Sequence, residues 1–320
     1  MPRNNVAPAI EVKNLIVRYK RFVAVDGVSF TVNQGEIFGL LGPNGAGKTS
    51  IIRALSTLKG SCAGIAKIHG LDVFKKPFQV RRIICLVPQH NSLDPLLNVH
   101  DNLYFYAWLQ GVHRNIREEK VNVLLDVFGL SQKRRALVTS LSGGQYRRLQ
   151  LAKIFLSDAM VYFLDEPSIG LDYQAKEIFW RFLKRTCKQT GITIVIATND
   201  LSEAGRLCDR VAFLNNGKVI RTGTPDELES ALNKKVVHVQ FDQLHGSFLS
   251  LSAEIESHHA QVEKVLDNSV EFRYQGNGGQ LPAFVQELQK VGSIRTFTLR
   301  PPSLQDVFLE LLSKEKNKSQ

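Results

Sequence analysis

The sequence is poor in the features that mark several protein classes. Its four cysteines, Cys62, Cys85, Cys187 and Cys208, are scattered with no Cys-x-x-Cys pair, so neither a disulfide framework nor a zinc site is indicated. No apolar run approaches the ~20 residues that a membrane-spanning helix needs. The opening Met1-Pro2-Arg3-Asn4-Asn5 lacks the apolar stretch of a secretory leader. Gly (23) and Pro (11) are few and without period, which excludes collagen-like and low-complexity chains. What is present is ordinary globular material: 43% hydrophobic and 22% charged residues. At roughly 150 residues per domain, a chain of this size predicts about two domains. These features predict a soluble protein of a reducing compartment. The formal charge is 41 − 30 = +11. It is spread over Arg81-Arg82, Arg134-Arg135, Arg147-Arg148 and the final Lys314, Lys316 and Lys318. A nucleic-acid binder gathers its charge on one element and interleaves aromatics. A solvated or phosphate-facing surface is therefore favoured over contact with anionic lipid or nucleic acid.

Along the chain, residues 10–19 and 28–32 alternate apolar and polar side chains, as half-buried strands do. Residues 37–41 form a short apolar run that ends in a Gly-rich turn, followed by a helical pattern over 50–58. Residues 161–164 and 192–198 are two more apolar runs with the character of strands buried on both faces, and 175–188 between them reads as a helix. The middle, about 98–156, carries helical spacing over 102–109, 118–128 and 144–155. That fits a mostly helical insertion in an α/β frame. After about Gly223 the pattern changes. Strands are expected over 236–241, 270–274 and 294–299, and helices over 282–291 and 303–312, with Ser303 as N-cap after Pro301-Pro302.

Three motifs carry chemistry. Gly42-Pro43-Asn44-Gly45-Ala46-Gly47-Lys48-Thr49 matches G-x-x-x-x-G-K-[ST] between an apolar strand and a helix. Its glycines let successive backbone N–H groups turn inward on phosphate oxygens, and the following helix adds its positive N-terminus. Lys48 is placed to bridge β- and γ-phosphates and Thr49 to offer a hydroxyl to Mg²⁺. Val161-Tyr162-Phe163-Leu164-Asp165-Glu166 is a strand delivering two carboxylates. At a phosphoryl-transfer site Asp165 would hold Mg²⁺ through its water shell and Glu166 would orient and deprotonate a water. Taken alone, the pair reads equally well as the solvated end of a strand. Leu141-Ser142-Gly143-Gly144-Gln145 precedes a helix and repeats the anion-binding device, although a lone Ser-Gly-Gly is more often an ordinary N-cap.

In this order and spacing the three motifs resemble those of the ATP-binding subunits of ABC transporters. The resemblance covers residues 10–223. It implies an α/β fold: a P-loop NTPase core of the ABC ATPase type, with a helical subdomain and a small C-terminal α+β appendage. The implied division is a flexible start over 1–9, an ATP-binding domain over 10–232 with its helical subdomain at about 90–156, and a regulatory or dimerisation domain over 233–320. ATP and Mg²⁺ are the implied cofactors. The resemblance makes 42–49 the Walker A motif, continued by Ser50, and 161–166 the Walker B motif with its catalytic Glu. It makes 141–145 the signature motif. Gln89 falls at the Q-loop, as a catalytic and metal-site residue, and Ser168 to Asp172 at the D-loop. Tyr19 falls where the family stacks an aromatic on adenine. Residues 302–309 resemble the ending of drug- and antibiotic-exporter ATPases whose permease is a separate chain.

The implied activity is ATP hydrolysis between two cassettes, identical or related, that face each other head to tail, each Walker A against the other's signature motif. Closure and hydrolysis would drive an integral-membrane permease, with the chain cytoplasmic and peripheral on the inner face of the membrane. No nucleic-acid partner is expected. One position departs from the family: Asn199 stands where a His touches the γ-phosphate. An amide is shorter and carries no charge near neutral pH. Two other readings remain open. One is a low-turnover regulatory or assembly module, favoured by Asn199. The other is a non-transport ABC ATPase acting on nucleic acid, against which stand the absence of a long heptad tract and of a second P-loop.

Overall fold

The computed structural model describes residues 7–59, 62–87, 93–232, 235–244, 260–266, 269–274, 285–286, 288–290 and 292–318. The chain divides into two compact units, residues 1–224 and 225–320.

The first unit opens with β1 (Ile10–Tyr19) and β2 (Phe22–Val32), an antiparallel pair. β2 starts at Phe22 rather than at Val28, because the register shifts between the pairs Leu15–Val28 and Val17–Val25. Ala24 and Val25 are consequently both buried, which breaks the alternation that sequence reading depends on. Residues 7–9 are likewise not a loose start: Ala9 is fully buried and its carbonyl accepts from His69 N at 2.8 Å. There follow β3 (Ile37–Leu41), α1 (Lys48–Leu55), β4 (Cys62–Ile68), β5 (Leu71–Asp72), α2 (Pro77–Ile83) and β6 (Ile84–Val87). The helical subdomain contains α3 (Val99–Leu109), α4 (Arg114–Val127) and α5 (Gly143–Ile154). The core then resumes with β7 (Val161–Asp165), α6 (Tyr173–Thr190), β8 (Thr193–Thr198), α7 (Leu201–Leu207), β9 (Arg210–Asn215) and β10 (Lys218–Gly223).

Two sheets result. One is antiparallel, in the order β2-β1-β4-β5; the other has six strands in the order β10-β9-β3-β8-β7-β6 and is parallel except for β10. Every residue of β3, β7 and β8 is buried, which is why these strands read as unbroken apolar runs. The two sheets share one core. In it Val12, Leu15 and Val28 of the first meet Phe38, Leu40, Phe163 and Val195 of the second, together with Ile51 and Ile52 of α1. Phe30 stacks on Phe38 with centroids 5.4 Å apart. In the helical subdomain the Asn98 side chain caps α3 by accepting from Asp101 N at 2.8 Å, and the buried Asn102 ties the preceding loop through Asp94 N, also at 2.8 Å.

All four cysteines are free. Cys85, Cys187 and Cys208 are buried and Cys62 is half-buried. Burial pushes the thiols of Cys85 and Cys187 up to about 11, and that of Cys208 higher still.

The second unit begins with α8 (Pro225–Ser230), which packs on α9 (Leu304–Lys318). That pairing places the division between Thr224 and Pro225, ahead of the boundary at 232/233 that sequence reading set. Its sheet has the order β12-β13-β11-β14, built from β11 (Lys235–Leu244), β12 (Ala260–Leu266), β13 (Ser269–Tyr274) and β14 (Gly292–Arg300). Val237, Val239, Phe241, Val270, Phe272 and Leu288 form its core. Of the helix expected over 282–291, residues 285–286 and 288–290 are described and are helical. Arginines fasten α9 to this sheet. Arg300 donates to Asp306 at 2.6 Å and to Glu271 at 3.0 Å, and Arg273 donates to Glu310 at 2.6 Å. Ser303 Oγ donates to Asp306 at 2.7 Å, which secures the start of α9.

Candidate functional site

Parallel pairing puts the chemistry-bearing residues at one edge. Leu41 pairs with Thr198 and Asp165 with Ala197, so β3, β8 and β7 end level with one another. Gly42, Asn199 and Glu166 then leave the sheet side by side, at the carboxyl ends of adjacent strands, where open α/β sheets bind ligands. A cavity of about 340 Å³ lies there, lined by Tyr19, Asn44, Gly45, Ala46, Gly47, Lys48, Thr49, Ser50, Glu166 and Asn199. Phe22, Ala24 and Ile169 complete the lining.

Gly47 caps α1 in the left-handed region, φ +103°, and a Cβ there would lie 2.6 Å from Ala24 O. Only glycine fits this place. Lys48 is buried, and its ammonium donates to Gly42 O at 2.6 Å and to Pro43 O at 3.1 Å. The carbonyls hold it over the loop, 3.7 Å from Glu166 Oε1. Thr49 Oγ1 donates to Asp165 Oδ1 at 3.2 Å, which brings a hydroxyl and a carboxylate from different elements into one oxygen cluster. Glu166 adopts φ +46°, and its N–H donates to Ala197 O at 2.8 Å. This turn out of β7 points its carboxylate back at the cavity.

Burial dominates the electrostatics. It lowers the Lys48 pKa and raises those of Asp165 and Glu166, even though Lys48 attracts both carboxylates. For Glu166 the desolvation is opposed by Lys48, by the backbone N–H of Asn199 and by the Thr198 side chain. The desolvated ammonium thus lacks full compensation, which suits an incoming phosphate. Glu166, more basic than an ordinary carboxylate, is suited to accept a proton.

Ser142, Gly143, Gly144, Gln145 and Asp172 are not part of the cavity lining. Ser142 caps α5 in a reciprocal box: its Oγ accepts from Gln145 N at 3.3 Å, and its own N–H donates to Gln145 Oε1 at 3.1 Å. A Cβ on Gly143 would meet nothing within 4 Å, and one on Gly144 only Gly170 O at 4.0 Å. The packing of the described residues does not require those glycines. Asp172 caps α6 through Ala175 N at 2.8 Å and pairs with Arg148 at 2.6 Å, which holds its pKa low. Gln89 lies outside the described residues. Sequence reading missed Phe22, which is 65% exposed beside the cavity. Tyr19 already carries the Lys59 ammonium 4.4 Å from its ring centroid, so Phe22 is the more open aromatic surface. The only sequence signal for Phe22 was an aromatic just after the Lys20-Arg21 turn.

Comparison with known proteins gives the class. Residues 25–169 match the family model of the ABC transporter, and residues 223–312 that of the ATP-binding protein DrrA1-3-like, C-terminal domain. A solved ATP-binding subunit of an ABC transporter shares the fold at TM-score 0.65 and 28% identity, covering 70% of this chain and 93% of that one. The chain is 34% identical over 308 residues to the daunorubicin/doxorubicin resistance ATP-binding protein DrrA of Streptomyces peucetius, covering 95% of this chain and 92% of that protein. It is 35% identical over 312 residues to the Nod factor export ATP-binding protein I of Ralstonia nicotianae, covering 96% and 95%. The chain belongs to the ATP-binding proteins of ABC transporters. Within them it is an exporter-type subunit, which binds and hydrolyses ATP and energises a membrane permease.

Proposed function

We propose that this subunit drives export of a small molecule, with the residues at the β3–β8–β7 edge performing the hydrolysis. The observation that carries this reading is the convergence of Lys48, the Thr49–Asp165 pair, Glu166 and Asn199 on one cavity. The backbone of residues 42–49 cradles the phosphates and the Lys48 ammonium exchanges its carbonyl partners for β- and γ-phosphate oxygens. Tyr19 and Phe22 offer apolar faces to the base. Thr49 and Asp165 supply hard oxygen donors that fit Mg²⁺. An ion held there would complete its shell from phosphate and water oxygens. When bound, Mg²⁺ supplies charge neutralisation on the transferring phosphoryl group. Glu166 orients the attacking water and takes its proton.

Ser142, Gly143 and Gly144 act on nucleotide held by a second cassette, identical or related. In support, these glycines sit open at a helix N-terminus although nothing among the described residues of their own chain demands them. No described helix is long and apolar enough to cross a membrane. The relatives are named as ATP-binding proteins, which supports a permease on a separate chain that would hold this one at the inner membrane face. Residues 225–320 serve dimer contact or regulation. The names of the two relatives, drug resistance and export, support the direction.

The test is Glu166→Gln. An amide positions water but cannot take its proton, so the variant should keep ATP and accumulate as an ATP-bound dimer on size exclusion. Turnover at the parental rate removes Glu166 from this role. A second reading, a low-turnover module, is favoured by Asn199 at the cavity wall, and the steady-state rate of the purified subunit decides between the two.

A further inference from the structure

Arg147 is a buried cation beside the site that the hydrolytic roles above leave unused. It lies in the second turn of α5, behind the Ser142 cap, and is 6% exposed. Its guanidinium donates from Nη2 to Glu166 O at 3.1 Å, from Nε to Pro167 O at 3.3 Å, and from Nη1 to Gln150 Oε1 at 3.0 Å. Two consecutive carbonyls are thus held by one planar fork. A lysine, a point charge on a flexible stem, cannot reproduce that arrangement.

The place where the fork grips is a strained one. Glu166 is a non-glycine residue at φ +46°, a conformation that is strained for an L side chain and persists only when its neighbours enforce it. Its N–H is fixed by Ala197 O, and its carbonyl by Arg147. The next residue of α5 grips the far end of the same loop: Arg148 Nη2 donates to Asp172 Oδ2 at 2.6 Å. Consecutive arginines of one helix therefore clasp the segment 166–172 at both ends, and the tip of that helix is the Ser142-Gly143-Gly144 cap.

We propose that Arg147 is the positioning residue for the Glu166 carboxylate, and that α5 is a rigid lever joining the glycine-rich tip to this chain's own base. The inference rests on the hydrolytic reading above. If the tip touches nucleotide held by the second cassette, occupancy of that opposite site bears on Glu166 here through the bonds from Arg147 to residues 166 and 167. Each cassette then prepares its own base in response to the other's ATP.

The test compares Arg147→Lys with the wild-type full-length chain. A displaced base costs rate rather than binding, so kcat should fall about 10- to 100-fold while KM and ATP affinity stay within about twofold. Gln150→Met removes the acceptor that orients the fork. It should lower kcat about threefold, the worth of one ordinary hydrogen bond, and this variant decides the matter if Arg147→Lys does not fold. In single-turnover assays with labelled ATP, Arg147→Lys added to Glu166→Gln should cost nothing further, because the carboxylate it positions is already gone. An unchanged kcat, a parallel loss of nucleotide affinity and rate, or the full additional loss in the double variant each overturns the proposal. Turnover at the parental rate in Glu166→Gln alone would instead count against the hydrolytic reading itself. An inert Glu166→Gln beside a fully active Arg147→Lys refutes only the lever.

Discussion

Replacing Asn199 with His tests what this subunit lacks. Asn199 follows β8 and lines the cavity, and its backbone N–H helps hold the Glu166 carboxylate. The substitution keeps that N–H, so any change in rate comes from the side chain alone. A neutral donor on a charged phosphate oxygen is worth about 1.5–3 kcal/mol, and an imidazolium adds direct attraction between unit charges, about 4 kcal/mol at about 4 Å and an effective dielectric of about 20. Only about 1.4 kcal/mol of that attraction need be realised in the transition state for a tenfold gain in rate. The assay is steady-state ATPase activity of the purified subunit at saturating Mg-ATP from pH 6 to 8. Wild type should turn over slowly, and Asn199→His should raise kcat at least about tenfold. The gain should shrink toward pH 8, because an imidazole of pKa about 6.5 is protonated on the acid side and neutral on the alkaline side. Activity of both forms should fall in acid at a higher pH than an ordinary carboxylate would set, because burial raises the Glu166 pKa and only its ionised form accepts a proton. Fast wild-type turnover with no gain from the His variant would refute the reasoning and show that another group makes this contact.

Two further outcomes are expected. Lys48→Ala should abolish tight ATP binding in a fluorescent-nucleotide titration, because in the proposed mechanism the buried ammonium held over Gly42 O is the charge that the phosphates meet; unchanged affinity removes the phosphate site from this loop. Ser142→Arg should leave nucleotide on the variant's own loop 42–49 and block turnover and ATP-driven dimerisation. Loss of ATP binding by the isolated chain would contradict an action on the opposite site.

The central elements were legible because their signals are local. The strand, loop and helix around 37–55 announce themselves within a few residues, and β7 and β8 are short apolar runs because they are buried on both faces. β2 was foreshortened because the register shift near Leu15 disrupts its alternation. The roles of Phe22 and Arg147 were hidden for a different reason. Each depends on a contact across the fold: an aromatic beside a loop more than 20 residues on, and a guanidinium reaching carbonyls at 166 and 167. Asp172 shows the converse. Its position in the motif was plain, yet the capping of α6 and the pairing with Arg148 that occupy it could not be read from spacing.

The distribution of thiols makes the molecule convenient for site-directed labelling. A thiol-reactive probe attacks the thiolate, and Cys85, Cys187 and Cys208 are both enclosed and pushed far above neutral pH. Half-buried Cys62 is the native background, and burial raises its pKa as well. A cysteine introduced at exposed Ile169, on the rim of the cavity, would therefore be modified far ahead of the natural four. A fluorophore there would report any change in the surroundings of the cavity rim when nucleotide is added, in a chain that otherwise keeps its own sequence.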